Sequence, residues 1–334
     1  MTTRRSTATI QVARALWYAK KGVVVIRNAA LPPLTPDRVQ VRAAFSGVSR
    51  GTERLILNGQ VPASERERMR APLQEGGFPF PVKYGYCATG TVEAGPPELI
   101  GRAVFCLHPH QDVFQVPFSM AVPLPEGLPL RRATLAANME TALNALWDSG
   151  AGPADRIVVV GAGIVGLLVA YLAARLPGAR VTVIDPLEER LALVETLGAV
   201  YVSEGRGEGI GGADVVFHTS ASQAGLATAL AAAGMEATIV ELSWYGDKPI
   251  AVPLGGAFHS QRLKLVCSQV GQISAGHRPR WDYRRRLEAA LALLQDERLD
   301  ALLTTEIAFE DAPAKLPALL GPGATGLAPV IRYA

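Results

Sequence analysis

Two patterns of hydrophobic and polar residues divide the chain. In the first third, short Val-, Ile- and Phe-containing runs such as VVVIRNA (23–29) and VQVRAAFSGVS (39–49) alternate with Pro and Gly. That pattern predicts β-strands separated by turns. From Asp155 onward, apolar runs of strand length alternate with longer segments whose apolar residues recur at helical spacing. Buried strands that alternate with helices predict a parallel sheet covered on both faces.

The predicted elements follow this division. A single helix is expected over LRRATLAANMETALNALWDSG (130–150), after the Pro-rich connector VPLPEGLPL. In the second part, the pattern predicts strands at 156–160, 180–185, 199–202, 213–219 and 237–242, with helices at 163–176, 187–198 and 223–234. Residues 157–174 carry no charge and approach the length of a membrane span, but the spacing of their glycines favours a different interpretation.

Composition narrows the class of protein. The 334 residues are 49% hydrophobic and 19% charged, which is typical of a globular protein of one large or two ordinary domains. The net charge is +3, and RPRWDYRRR (278–286) is interpreted as a solvated helix face rather than a nucleic-acid stripe. Three cysteines without CxxC spacing argue against a disulfide framework and favour the cytoplasm. The segment 1–18 has no apolar core, so we expect no signal peptide.

The strongest motif is VVVGAGIVG, which gives Gly161, Gly163 and Gly166 in G-x-G-x-x-G spacing. It follows a predicted buried strand and opens a predicted helix, the context that a dinucleotide-binding fold requires. Gly161 would permit the tight turn, Gly163 the approach of a pyrophosphate, and Gly166 close packing of helix on strand. Ile164 and Val165 begin the helix, whose N-terminus offers free N–H groups to phosphate.

Asp185 ends the next predicted strand, close to the separation of about 20 residues expected for the acidic residue of this motif. Its carboxylate would accept hydrogen bonds from the adenosine ribose hydroxyls. That role predicts NAD as the cofactor and makes NADP the less favoured one, because a 2′-phosphate would meet a carboxylate. Arg190 complicates this prediction, since a nearby cation could reduce the preference for NAD over NADP.

The order of a β-rich part, a Pro-rich connector, a Rossmann unit and a short tail resembles the medium-chain dehydrogenase/reductase superfamily, of the zinc alcohol dehydrogenase type. FSGVSRGTERL and VKYGYCATGTVEAG match segments of that family. The resemblance implies an α/β fold with a β-rich GroES-like catalytic domain over 1–139 and 270–334. It also implies a doubly wound Rossmann domain over 140–269, and a cytoplasmic homodimer.

The zinc ligands of the family are replaced in this sequence. Ser49 stands where the family has a cysteine, Tyr86 where it has a histidine, and Ala137 near the third ligand position. Cys87 replaces the neighbouring glutamate, and PASERERMRAPLQEGG (62–77) occupies the region of the four-cysteine zinc lobe. The chain is therefore identified as a zinc-free member. Its segments SGVSRGTE and PVKYGY resemble the subgroup that contains bacteriochlorophyllide 3-hydroxyethyl dehydrogenase.

Without zinc, another group must handle the hydroxyl proton of an alcohol. Tyr86 is one candidate, and its alternative role is a pocket wall. Thr52 is a second, on condition that Gly51 is an insertion; otherwise Gly51 takes the position of the family's relay threonine. His108 matches a position that projects into the substrate pocket, or it is an ordinary loop histidine. Ser49, at a former ligand position, completes the predicted catalytic group.

Several further residues receive roles from the resemblance. Arg50 matches a residue that pairs with the cofactor pyrophosphate, Thr141 one that lies against the nicotinamide, and Ser220 is expected to border the cofactor with His218. Glu140 either acts in the site or forms a structural pair. His110 is expected to be structural, Cys106 and Cys267 to be small buried residues, and Glu241 receives no role.

The sequence as a whole predicts a zinc-independent, NAD(H)-dependent oxidoreductase that interconverts a secondary alcohol and a ketone or aldehyde. Its partner is then a small-molecule substrate, with neither nucleic acid nor membrane. Two alternatives remain open: reduction of an enone or quinone, and a non-catalytic protein that senses NAD(H).

The first testable prediction concerns zinc. Because a hydroxyl, a phenol and a methyl group replace the ligands at Ser49, Tyr86 and Ala137, we expect well under one zinc ion per chain. Elemental analysis of protein purified without chelator measures this directly. A tightly held, stoichiometric zinc would contradict the prediction.

Overall fold

The computed structural model describes residues 11–203 and 210–334, so residues 1–10, which bear on the expected absence of a signal peptide, lie outside it. Contacts between Cα atoms divide the chain into two units. Unit 1 comprises the described residues of Met1–Leu135 and Leu303–Ala334, and unit 2 those of Ala136–Leu302. Each unit is described separately.

Strands and helices are numbered in chain order. The strands are β1 (Gln11–Lys20), β2 (Val23–Leu31), β3 (Arg38–Gly47), β4 (Glu75–Gly76), β5 (Val82–Lys83), β6 (Ala88–Ala94), β7 (Ala103–Cys106), β8 (Val113–Pro117), β9 (Val122–Pro123), β10 (Arg156–Val160), β11 (Arg180–Asp185), β12 (Val200–Ser203), β13 (Ala213–His218), β14 (Ala233–Glu241), β15 (Lys264–Cys267), β16 (Thr305–Ala308) and β17 (Pro329–Arg332). The α-helices are α1 (Arg50–Asn58), α2 (Leu130–Ala133), α3 (Ala136–Ser149), α4 (Ile164–Ala173), α5 (Leu191–Thr196), α6 (Gln223–Ala232), α7 (Tyr283–Leu293) and α8 (Ala312–Leu319).

Unit 1 is built from two sheets. One has the order β2-β1-β5-β4, and the other the order β16-β17-β3-β6-β7-β9, with β8 paired to β3. Strand β3 alternates buried and less buried residues over its first half, which suits an antiparallel strand with one face on a core. Its end leads directly to Ser49 and α1, so the sheet fixes where that helix begins.

Unit 2 contains one parallel sheet in the order β12-β11-β10-β13-β14-β15. Its central strands are nearly continuous runs of buried residues, such as Ile157, Val158, Val159 and Val160 of β10. Parallel strands covered on both faces require such runs. The predicted α/β class is confirmed, and the strands expected at 156–160 and 180–185 have the predicted bounds.

The single helix predicted over 130–150 is wrong in one respect, because the segment forms α2 and α3 with a break between them. At the break, the Thr134 hydroxyl donates to the carbonyl of Arg131 at 2.6 Å. That local bond satisfies a carbonyl at the end of α2, where the regular helical pattern stops.

The division of the structure differs from the domain bounds that the sequence suggested, mainly at the second boundary, expected at 270 and found after Leu302. A buried ion pair is one contact between the intervening segment and unit 2. Arg286 of α7 donates to Glu140 of α3 at 3.0 Å and to Asn144 at 2.9 Å, which ties α7 to unit 2. Glu140 thus has a partner for the structural pair that was one of its two expected roles. Arg286 is buried, unlike a residue of the solvated helix face expected for the basic run 278–286.

No helix among residues 11–203 and 210–334 combines the length and apolar character needed to cross a membrane. The uncharged segment that approached that length contains strand β10 and helix α4, joined by a glycine turn. The turn divides the segment, so the spacing of its glycines was the informative feature.

The second prediction concerns the buried pair. Arg286→Leu should destabilise unit 2 by about 3–5 kcal/mol, because it leaves the Glu140 carboxylate buried without its cation. Burial already raises the pKa of Glu140 against the opposing effect of Arg286. Urea denaturation followed by circular dichroism measures the loss.

Arg284→Leu is the matched control for this measurement. Arg284 lies on the same helix, is exposed, and pairs with Glu288 one turn away. Exposed pairs of this kind contribute about 0.3–0.5 kcal/mol. Equal destabilisation by the two substitutions would contradict the assigned importance of the buried pair.

Candidate functional site

The glycine-rich turn of unit 2 connects β10 to α4 and has the tight geometry that the motif predicts. Gly161 has φ +106°, and a side chain there would place Cβ 2.9 Å from the Ser220 backbone nitrogen. A Cβ on Gly166 would lie 2.0 Å from the Gly161 carbonyl oxygen, so the helix packs against the turn only with glycine there. Around Gly163 no atom lies within 4 Å of an added Cβ, which leaves open space at the helix N-terminus.

Asp185 ends β11 beside this turn and is largely buried. One carboxylate oxygen accepts from the Ala162 N–H at 2.6 Å and the other from the Leu187 N–H at 2.9 Å. Each oxygen has a further lone pair, so the group retains the capacity to accept hydrogen bonds from a diol. Arg190 follows in a helical turn, with its guanidinium 3.7 Å from the Glu189 carboxylate.

A polar cluster that the sequence did not predict lies at the carboxyl ends of β13 and β14. His218 Nδ1 is 2.8 Å from Glu241 Oε2, and His218 Nε2 is 2.8 Å from Ser220 Oγ. The residues His218 and Glu241 are direct partners in the strand register. Glu241, which the sequence left without a role, is thus the hydrogen-bond partner of His218, and that histidine holds the hydroxyl of Ser220.

The environment of Glu241 favours its charged form. Burial opposes ionisation, but hydrogen bonds with His218 and Ser243 outweigh burial and lower the pKa of the carboxyl. The Tyr245 hydroxyl also donates to Glu241 at 3.0 Å, and burial together with that carboxylate raises the pKa of Tyr245. The cluster is therefore a carboxylate surrounded by donors at the edge of a parallel sheet where ligands bind in this fold class.

Unit 1 brings three of the predicted catalytic residues together. The Tyr86 hydroxyl donates to Thr52 Oγ1 at 3.4 Å. Burial raises the pKa of Tyr86, and the side chains of Ser49 and Thr52 oppose that effect. The phenol consequently stays protonated at neutral pH and can act as a donor. Thr52, and not Gly51, supplies the hydroxyl beside Tyr86. A Cβ added to Gly51 would meet open space.

A buried polar network supports this group. Glu53 accepts from the Ser49 N–H at 2.7 Å and from the Tyr18 hydroxyl at 2.5 Å, and lies 3.1 Å from His110 Nε2. His110 Nδ1 is 2.7 Å from Ser46 Oγ. The carboxylate thus fixes the first turn of α1, where Ser49 and Thr52 lie.

The network also explains the glycine before Tyr86. Gly85 has φ +120°, and a Cβ there would lie 2.9 Å from the His110 ring. His110 is completely buried, in agreement with the structural role expected for it. Cys87 is 1% exposed, so its thiol belongs to the core while Tyr86 is only partly buried.

His108 lies apart from these hydroxyls. Its ring stacks on Phe114 with centroids 4.0 Å apart, and Nδ1 bonds to the Pro109 carbonyl at 2.8 Å. Burial lowers the pKa of His108 to about 3, so this histidine is a weak proton acceptor at neutral pH. It lines a polar cavity whose lining includes none of Ser49, Thr52 and Tyr86. Its predicted catalytic role stays a prediction.

Two other predicted residues have local partners within their own units. Arg50 donates to the Ala324 carbonyl in unit 1, and the Thr141 hydroxyl donates to the Ala137 carbonyl at 3.0 Å in unit 2. Cys106 is buried as expected. The prediction for Cys267 is wrong, because this residue is exposed. It ends β15, the outermost strand of its sheet, where no further strand covers it.

The residues at the family's zinc positions do not fit a zinc ion. Zinc in proteins takes thiolate, imidazole and carboxylate ligands in tetrahedral geometry. Ser49 and Tyr86 offer hydroxyl oxygens, the pKa of Tyr86 is raised, and Ala137 has no donor atom. Within the described part of the chain, no group of three or more His, Cys, Asp or Glu side chains could hold a metal ion. The absence of zinc remains a prediction.

Comparison with known proteins gives a family match in unit 2. Residues 165–288 match the family described as zinc-binding dehydrogenase. A curated relative, D-guloside 3-dehydrogenase of Escherichia coli K12, is 26% identical over 204 residues, which are 57% of this chain and 58% of the relative. The match therefore spans little more than half of that relative's length.

Two solved structures share the fold. A zinc-binding dehydrogenase from Sinorhizobium meliloti bound to NADP has a TM-score of 0.77 at 17% identity, over 96% of this chain and 99% of its own. An alcohol dehydrogenase from Escherichia coli CFT073 complexed with NADH has a TM-score of 0.76 at 15% identity, with the same coverage. At this level of identity the likeness shows the fold, and it includes neighbours with either nicotinamide cofactor.

Proposed function

We propose that the chain is a member of the medium-chain zinc-binding dehydrogenase superfamily, and that it is a nicotinamide-dependent oxidoreductase that interconverts an alcohol and a carbonyl compound. The observation that carries the proposal is the Gly161–Gly166 turn, which admits no side chain at either glycine and leaves the N-terminus of α4 open. Such an N-terminus presents N–H groups and a positive dipole end to a pyrophosphate. We propose a cytoplasmic location on the basis of the cysteine pattern and the resemblance, and a homodimer on the basis of the resemblance.

We propose NAD(H) rather than NADP(H) as the cofactor. Asp185 supports this choice, because its carboxylate is held by two backbone N–H groups in a fixed orientation and still has lone pairs for a ribose diol. A phosphate at the same place would meet that negative charge. Arg190 lies in the next turn, but the nearby Glu189 carboxylate partly offsets its charge.

In the proposed reaction, a bound nicotinamide supplies the hydride acceptor or donor. The chain itself must bind the substrate oxygen and handle one proton. We assign the oxygen to the Tyr86 phenol, which is protonated and partly exposed. When substrate binds, the single proton of Tyr86 turns from Thr52 to the substrate oxygen, and the Thr52 hydroxyl donates to the phenol oxygen in its place. The proton that the substrate gains is then replaced from Thr52, which is itself partly exposed and exchanges its proton with water, and oxidation runs the same path in reverse.

We propose that this chemistry proceeds without zinc. A phenol with a raised pKa donates a hydrogen bond to an oxygen that becomes negative, as an oxyanion-hole donor does. Glu53 supports the arrangement indirectly, because it fixes the turn of α1 that carries Ser49 and Thr52. No step in this account requires a metal ligand from the residues at the family's zinc positions.

The third prediction tests the proposed function directly. Purified protein should oxidise NADH with one member of a panel of ketones and aldehydes, detected by loss of the absorbance of reduced nicotinamide. On that substrate, Tyr86→Phe should lower kcat/KM by about 10²–10³, because it removes the hydroxyl and keeps the ring. Cofactor affinity should not change.

Tyr84→Phe is the matched control for this experiment. Tyr84 is a neighbouring tyrosine that is almost completely buried, so its hydroxyl is not offered to substrate. Full activity of Tyr86→Phe, with loss on Thr52→Val or His108→Ala, would assign the proton to those residues. Turnover of enones or quinones alone would favour the alkene or quinone reaction, and binding of NADH without any turnover would favour a sensor.

The fourth prediction concerns cofactor choice. Replacing Asp185 with Ser should weaken NADH binding by about 1.5–3 kcal/mol, the range for hydrogen bonds to a charged group, and should favour NADPH in relative terms. Fluorescence titration with both cofactors measures the ratio of the two dissociation constants. A general loss of structure would instead weaken the binding of both cofactors and leave the ratio of their dissociation constants unchanged.

Glu188→Ser provides the comparison, because it removes an exposed carboxylate three positions along the same segment. We expect it to leave the ratio nearly unchanged. Tighter binding of NADPH than of NADH by the unaltered protein would show that the assignment of Asp185 is wrong.

A further inference from the structure

Unit 1 contains a polar cavity of about 320 Å³ that the proposed reaction does not use. Its size lies at the lower end of the range of about 300–1,000 Å³ for small-molecule sites. The lining residues are Trp17, Asn28, Ala29, Ala30, Leu31, Pro32, Arg38, Glu75, Lys83, His108, Gln111 and Gln115. The strands β1, β2, β3, β5 and β8 contribute most of them, so the cavity is built on the framework of two sheets.

Four polar side chains of the lining are more than nine-tenths buried, which is unusual for such residue types. The exposed fractions are 2% for Lys83, 5% for His108, 3% for Gln111 and 8% for Gln115. Polar groups removed from bulk water destabilise the fold unless they are hydrogen-bonded. Their concentration around one cavity therefore points to a polar occupant.

Two of the buried polar atoms have no partner in the described structure. These are the Arg38 Nε donor and the Gln115 Oε1 acceptor. The other groups of the same side chains are engaged, since an Arg38 amino group donates to the Gln115 carbonyl at 2.6 Å and Gln115 Nε2 donates to the Pro32 carbonyl at 2.9 Å. Both side chains are thus held in place with one hydrogen-bonding group left without a protein partner.

The cavity has a cationic side. The Lys83 ammonium donates to Gln111 Oε1 at 2.8 Å and pairs with Glu75. The two members of that pair are in different surroundings, since the Lys83 side chain is 3% exposed and that of Glu75 is 58% exposed. Glu75 also lines the cavity, so the pair by itself is neutral, and its exposed carboxylate is the member that water screens more. The guanidinium of Arg38 adds a second positive charge.

The cavity also has an accepting side. His108 Nδ1 lies 2.8 Å from the Pro109 carbonyl, which can only accept, so Nδ1 carries the proton and Nε2 is left as an acceptor. The lowered pKa of His108, about 3, agrees with a neutral ring. Gln115 Oε1 is the second acceptor. Acceptors beside cations suit a ligand with both hydroxyls and a negative group.

We propose that this cavity binds a small hydroxylated anion, whose negative group lies between Lys83 and Arg38 and whose hydroxyls donate to His108 and Gln115. The site is distinct from the hydroxyl group of Tyr86, Thr52 and Ser49, none of which lines it. The proposal is independent of the reaction proposed above, because it depends only on the cavity and its lining.

Isothermal titration calorimetry of the full chain tests the proposal with four probes. D-glycerate carries a carboxylate and two hydroxyls, and it should bind. Glycerol lacks the charge and propionate lacks the hydroxyls, so each should bind at least about tenfold more weakly, since one hydrogen bond to a charged group corresponds to about that factor. Glycerol 2-phosphate distinguishes a phosphate from a carboxylate as the preferred anion.

Two variants assign the binding to the cavity. Arg38→Gln and Gln115→Leu should each weaken the binding of D-glycerate by about tenfold or more. The first variant loses a charged partner of the ligand and the second a neutral one. Arg42→Gln is the control, because it removes the same charge from the same strand. The Arg42 side chain is exposed, pairs with Glu93 and does not line the cavity. This variant should bind D-glycerate as tightly as the unaltered protein does. Circular dichroism verifies that each variant is folded.

Tyr86→Phe separates this site from the proposed reaction. The affinity for D-glycerate should be unchanged by Tyr86→Phe, whereas the two cavity variants should lower it by about tenfold or more. No binding of D-glycerate or glycerol 2-phosphate at millimolar concentration would overturn the proposal. It would also be overturned by binding that Tyr86→Phe abolishes while Arg38→Gln and Gln115→Leu leave it intact.

Discussion

The carboxylate of Glu53 is the interaction on which the arrangement of unit 1 depends. It receives hydrogen bonds from Tyr18 of β1 and from the backbone of Ser49, and it contacts His110 after β7. A buried carboxylate with one partner removed destabilises a fold strongly, so these segments are constrained to meet around it. The constraint extends to Gly85, because the His110 ring leaves no room for a side chain there. The hydroxyls of Ser49, Thr52 and Tyr86 are held in one place as a consequence.

Unit 2 has a comparable carboxylate at the edge of its sheet. Glu241 holds His218, and His218 holds Ser220, next to the turn that begins at Gly161. The hydroxyl of Thr219 donates to the carbonyl of Gly161 at 2.8 Å, so the cluster and the turn form one hydrogen-bonded assembly. The proposed cofactor site therefore has a rigid support, which is what a site for a charged, flexible dinucleotide requires.

How much of this could be predicted depends on the distance along the chain between interacting residues. The Gly161 turn and Asp185 lie within one strand–helix–strand unit, and their spacing alone indicated their roles. The His218–Glu241 pair joins the ends of neighbouring parallel strands. Glu241 was visible in the sequence as an acidic residue at the end of a predicted strand, but the register that makes it a partner of His218 was not. The prediction that Cys267 is buried was wrong for a related reason, because the sequence does not reveal which strand is outermost.

The sequence by itself determined the parallel sheet of unit 2 and the glycine turn, because local periodicity and spacing encode them. The change of residues at the zinc positions was visible only through the resemblance to a family. Only the tertiary structure decided that Thr52 lies beside Tyr86, that His108 lies in a separate cavity with Lys83 and Gln115, and that Glu140 pairs with Arg286. Those contacts join residues from different strands and helices. Their partners, burial and pKa values exist only once the backbone has folded, since desolvation and hydrogen bonding depend on neighbours distant in sequence.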